Sequence, residues 1–222
     1  MPNNAQNVSV GKPKVGGSVF RAPLGTVLPT NATDELDAAY ECLGFCSDAG
    51  LTNNNSTESE NIKAWGGDTV LSVQTDKQDT FNFTLLEIFS IPVLKTVYGD
   101  ENVVGDLETG ITVIANSTEQ EEFVFVVDMI LRGGVMKRIV IPDGKITNVD
   151  EISYVDNDAI GYNTTLSALP DSTENQATHY EYIQSPPSYT VTFNTDGGSA
   201  VASQTVKIAR SEERCVGKEC RS

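Results

Sequence analysis

Between Thr80 and Glu87 the side chains alternate without a break, with Phe81, Phe83 and Leu85 on one side of an extended chain and Asn82, Thr84 and Leu86 on the other. That period of two is the repeat of a half-buried strand, and no other segment constrains the fold as much. A helix is the poorer reading, although Thr84 and Glu87 have capping-box spacing. Pro92 would then sit inside it, removing a donor and clashing with the preceding turn. Starting the helix at Ser90 resolves the conflict. With Ser90 as the cap and Pro92 in the first turn, Val93, Leu94, Val97 and Tyr98 form one apolar stripe that stops at Gly99. Residues 62–99 therefore read as strand, strand and one short helix packed beside a sheet.

Residues 122–132 and 135–141 flank Gly133-Gly134, the strongest hairpin signal in the chain, because two glycines supply the positive φ angles of a tight turn. Asp143-Gly144 reads as a second such turn, with Pro142 ending its strand, so that 145–149 completes a three-stranded meander. Further strand candidates lie at 16–24, 39–45, 111–115, 152–154, 160–169 and 177–183. The expected fold class is mainly β, a β-sandwich or partial barrel of antiparallel strands with one short flanking helix. Residues 1–30, mixing Gly, Pro and Asn, read as an amino-terminal arm. Residues 50–61, GLTNNNSTESEN, are polar and aperiodic and read as an exposed mobile loop. QSPPS at 184–188 reads as a linker, and 189–209, with its TDGG turn, as half of a small β module.

Composition then excludes whole classes. At 222 residues and 39% hydrophobic the chain can bury one core and a small appendage. Its most apolar runs are interrupted by Asp128 and by Glu87, Pro92 and Lys95, so no membrane segment is expected, and the amino terminus lacks a secretory pattern. Residues 1–186 hold ten Lys and Arg against 27 Asp and Glu, a balance of −17. Such a surface repels nucleic acid, whose specific binding needs basic side chains to displace counterions. The four cysteines make no disulfide framework, and Cys42 and Cys46 lack the further ligands that zinc requires, so free, partly buried thiols are expected. His179 is the single histidine, and no nucleophile motif accompanies it, so it reads as a packing or surface residue. Glu119, Glu121 and Glu122 read as a solvated charge run, and Gly16-Gly17 and Gly66-Gly67 lack phosphate-loop spacing. No catalytic, cofactor-binding or metal-ligating residue is assigned, and the chain reads as no enzyme. Trp65, the only tryptophan, reads first as a loop anchor, with a contact between subunits as the alternative.

Three pieces, CLGFCSDAGLT at 42–52, IKAWGGDTV at 62–70 and VLKTVYGDENV at 93–103, together with the hairpin-rich second half, resemble the major tail tube proteins of long-tailed bacteriophages with non-contractile tails. The likeness covers about residues 1–183, the expected tail tube domain. It implies a virion protein that assembles in the bacterial cytoplasm into hexameric rings, which stack into a tube. DNA would pass through its acidic lumen without specific binding. It also implies tape-measure, tail-tip and tail-terminator proteins as partners, and Trp65, Val93, Leu94, Val97 and Tyr98 as assembly residues. Residues 189–209 resemble the start of a bacterial immunoglobulin-like or Listeria-Bacteroides-type repeat. The last thirteen residues resemble, at all but one position, the conceptual translation of a sequencing adapter, and carry no functional weight. An acidic bacterial surface or adhesion module is the rival reading.

Overall fold

Phe81, Phe83 and Leu85 are all buried, as their alternation requires, at the inner end of a strand far longer than the alternation itself. The computed structural model describes residues 2–14, 16–186, 188–191 and 202–207. Its strands, in chain order, begin with β1 (Lys12–Pro13), β2 (Val19–Pro23), β3 (Glu41–Cys42), β4 (Cys46–Lys63) and β5 (Thr69–Leu85). Helix α1 (Ile91–Tyr98) follows, then β6 (Val103–Val104), β7 (Thr112–Val113), β8 (Glu122–Ile130) and β9 (Met136–Val149). The chain continues through β10 (Tyr162–Ala168), β11 (Tyr180–Gln184), β12 (Ser188–Val191) and β13 (Gln204–Lys207). One antiparallel sheet runs in the order β3-β2-β8-β9-β10-β5-β4, with β1 added to β8 and β11 to β9, and its two ends do not join. The fold is mainly β with one short helix, and no barrel closes.

The helix forms where the sequence places it. Ser90 is the N-cap, Pro92 lies in the first turn, and the Gly99 amide donates to the Lys95 carbonyl from a positive φ of 97°. Ser90 caps through position alone, since its side chain makes no capping hydrogen bond. Val93, Leu94 and Val97 turn into the core and meet Phe81, Phe83, Phe125, Ile139, Ile141 and Leu166 from the sheet. Tyr98 stands edge-on to Tyr162, ring centres 5.9 Å apart.

Strands β8 and β9 are buried on both faces, which is why they read as nearly continuous apolar runs. One face carries Phe125, Val127, Ile139 and Ile141 into the main core; the other holds Val124, Val126 and Val140. Gly133 and Gly134, at φ 76° and 75°, do turn this hairpin, within a short helical turn over 132–134.

The second turn is not there. Strand β9 continues through Pro142, Asp143 and Gly144, and the expected meander is replaced by β8-β9-β10. A bulge accommodates the proline: Phe123 faces Gly144 and Phe125 faces Ile141, so Pro142 and Asp143 together oppose Val124. At the bulge β9 changes neighbour, its first half pairing with β11 and its second with β10. Gly144 is required for space, since a Cβ there would lie 2.9 Å from Phe125 and 3.0 Å from Leu166.

Four other expectations change. Residues 50–61 are not a loop but part of β4, paired along its length with β5. No strand forms at 152–154, and the candidate at 39–45 reduces to β3. Of the amino-terminal thirty residues, β2 lies between β3 and β8 inside the main sheet. Strands β12 and β13 pair with each other, while the TDGG turn between them and residues 210–222 lie outside the described residues.

Candidate assembly interface

The 18 residues of β4 and 17 of β5 make one hairpin, of which only the inner end belongs to the body. From Thr69 to Gln78 every residue of β5 is exposed on both faces, and the facing half of β4 is nearly as open. At about 3.3 Å per residue this outer arm is roughly 30 Å long. An isolated two-stranded ribbon is marginal in water, and it exposes unpaired backbone along its edges.

The chemistry of the arm is concentrated near its tip. Ala64 and Asp68 close the turn through an amide-to-carbonyl bond of 2.8 Å, and Gly66 and Gly67 supply positive φ angles of 116° and 99°. Trp65, immediately before the two glycines, is fully exposed at 106%. It anchors nothing in its own protomer, which corrects the loop-anchor expectation. Ile62, Val70, Leu71 and Val73 are exposed beside it, with Ile62 directly opposite Leu71 across the ribbon. Exposed apolar groups gathered on a projecting element are the kind of surface through which proteins contact one another.

A second exposed apolar area lies at the inner end of the hairpin, opposite the tip, where the chain enters β4. Phe45 and Phe89 are 76% and 66% exposed, and residues 86–90 line an open cleft of about 490 Å³ beside them. Glu87 shapes this corner by accepting the Phe45 amide at 2.9 Å, and its carboxylate lies so close to Gly44 that a Cβ there would clash.

Two buried polar networks brace the protomer, one on the β8–β9 hairpin and one at the root of the arm. On the second face of the β8–β9 hairpin, Arg138 donates to both oxygens of Asp128, from Nε at 2.6 Å and Nη2 at 2.9 Å, and Lys14 adds a third bond at 2.8 Å. Arg138 and Asp128 are 0% and 2% exposed. Burial alone would raise the Asp128 pKa, but the hydrogen bonds from Arg138 and Lys14 outweigh it and hold the carboxyl below its usual range. Nη1 of Arg138 reaches the Asn31 and Asp34 carbonyls at 3.2 and 2.9 Å, pinning that stretch over the sheet. At the root of the arm, Asp79 accepts from Thr178, His179 and Asn53.

The structure separates the residues singled out from sequence. Trp65 stands free at the arm tip, whereas Val93, Leu94 and Val97 are buried and Tyr98 half-buried within the protomer. Their stripe serves the fold, so Trp65 alone of the five offers an unused side chain. Sequence reasoning missed the arm itself, the Phe45–Phe89 patch and both polar networks. One signal was available: Asp128 and Arg138 interrupt apolar runs on the two sides of the Gly133-Gly134 turn, as a buried cross-strand ion pair would.

Among the described residues no group of three His, Cys, Asp or Glu side chains could hold a metal ion, and no helix is long and apolar enough to cross a membrane. Cys42 and Cys46 are free and partly buried. The family model described as phage tail tube protein matches residues 1–191. No curated protein matches the chain.

Proposed function

The chain belongs to the phage tail tube proteins, structural components of the virion tail, and from that premise we propose that it polymerises into hexameric rings stacked as a hollow tube for DNA. The observation that carries this reading is the arm: about 30 Å of exposed ribbon with an aromatic tip, far from any core of its own. The tip and the Phe45–Phe89 patch lie at opposite ends of one hairpin, so a contact from one copy's tip to the next copy's patch is head-to-tail. Such contacts close into rings or extend into filaments according to the rotation they impose. The family match favours this over an adhesion module.

The charge of residues 1–186, −17, supplies the lumen chemistry. Carboxylates facing the bore keep phosphates from adhering, so DNA slides through without specific binding. Tape-measure, tail-tip and tail-terminator proteins set where the tube starts, how long it grows and where it stops, in the host cytoplasm. The same charge restrains free subunits, which repel one another until a tail-tip complex organises them.

Salt tests that restraint. Raising ionic strength from about 0.01 to 0.15 M shortens the Debye length from roughly 30 to 8 Å. Purified protein followed by light scattering is expected to polymerise faster over that range, with tubes visible by negative-stain microscopy. A rate unaffected or slowed by salt contradicts the proposal.

A further inference from the structure

We propose that Asp79 and His179 form a clasp that docks the root of the arm onto the body, and that acid opens it. Coming from the tip, Asp79 is the first buried residue of β5, at 3% exposure, and it has the same parity as Phe81, Phe83 and Leu85. A carboxylate therefore occupies the outermost core-facing position of the strand. Its two oxygens are satisfied from two directions. Oδ2 accepts from Thr178 Oγ1 and His179 Nδ1, each at 2.5 Å, and Oδ1 accepts from Asn53 Nδ2 of β4 at 2.7 Å. The His179 ring also stands edge-on to Phe81, with centroids 5.3 Å apart.

The body side of the clasp is itself braced. Asp171 accepts from Thr173 Oγ1 at 2.7 Å, the Ala177 amide at 3.1 Å and Tyr180 Oη at 2.6 Å, which folds 171–180 into a fixed platform for Thr178 and His179. One carboxylate thus joins both arm strands to the segment that enters β11. The arm is held in place before a neighbour is met, so less conformational freedom is lost on contact.

The acid sign follows from the carboxylate. Burial pushes Asp79 up, but the hydrogen bonds from Thr178, Asn53 and His179, with the charge of protonated His179, outweigh it and hold the group below its usual range. Asn53 and Thr178 are neutral, so His179 is the one titratable side chain acting on Asp79 from the packed elements. The clasp is complete above the unfolded carboxylate pKa and is lost as pH falls through the lower folded value. Protonated Asp79 loses its charge and part of its acceptor capacity, which weakens the bonds from Asn53 and His179.

Hydrogen exchange on the unassembled full chain at low salt tests this, independently of whether tubes form. In D79N, amides at 53–57, 78–81 and 172–179 are expected to exchange about tenfold faster or more, while those of β8 stay slow. After correction for intrinsic chemistry, acid should produce the same acceleration in the wild type and none in D79N. Should D79N fail to fold, T178V, which removes one donor and no charge, is expected to give a smaller acceleration in the same segments. Unchanged exchange at the root in whichever variant folds, or a wild type whose root exchange ignores acid, overturns the proposal.

Discussion

Removing the outer arm, residues 58–76, and joining Thr57 to Lys77 through an Asn-Gly turn is expected to abolish polymerisation while leaving the protomer folded. The deleted segment touches no core, and Thr57 and Lys77 already face each other across the ribbon, so a type I′ turn fits the break. Thermal unfolding should therefore be almost unchanged, and sedimentation should find only monomer at concentrations where the parent forms tubes. The point variant W65A separates the tip from the rest. Its side chain is fully exposed, and surface changes of this kind alter stability by less than about 0.5 kcal/mol. A tryptophan at the centre of a subunit contact instead contributes about 2 kcal/mol or more, roughly a thirtyfold loss in association per contact. Because each added subunit repeats the contact, the critical concentration for polymerisation should rise by at least that factor. Normal tubes from the shortened protein would show that the arm does not join subunits.

The largest effect on stability is expected at Arg138. R138A leaves the Asp128 carboxylate, 2% exposed, with Lys14 as its one remaining cation and frees the Asn31 and Asp34 carbonyls. Breaking one partner of a buried ion pair costs about 3–5 kcal/mol, a large part of the 5–15 kcal/mol that holds a typical domain folded. D128A should cost a similar amount, since it leaves the buried Arg138 cation without its anion and beside the like charge of Lys14. Urea unfolding at neutral pH measures both, and a loss below about 1 kcal/mol in each would mean that the network is dispensable. The pH dependence has a definite sign. Asp128 is held below its usual range, so its contribution is complete above the unfolded carboxylate pKa and disappears as pH falls through the folded value. The gap between parent and R138A should therefore shrink in acid.

How far the sequence revealed this depends on where each signal comes from. The helix was legible because its cap, first-turn proline and terminal glycine all act within ten residues. The Gly133-Gly134 turn was legible because both glycines use positive φ. Gly144 follows an aspartate in the same turn-like way, yet it is needed for close packing against Phe125 and Leu166, and a dipeptide does not distinguish the two uses. Residues 50–61 show no period because neither face of the arm is buried; their strand exists through pairing with β5, a non-local fact. Trp65 was conspicuous as the sole tryptophan, but the direction it faces depends on the length of the ribbon beneath it. Asp79 and His179 are 100 residues apart, and nothing local to either announces the other.

Self-assembly into a hollow conduit is tested most directly by a cryo-electron microscopy reconstruction of the polymer formed by the purified full chain. The expected result is six subunits in each ring, arms crossing between copies with Trp65 covered, and a bore lined by Asp and Glu. A polymer without annular packing, or a bore ringed by Lys and Arg, would contradict it.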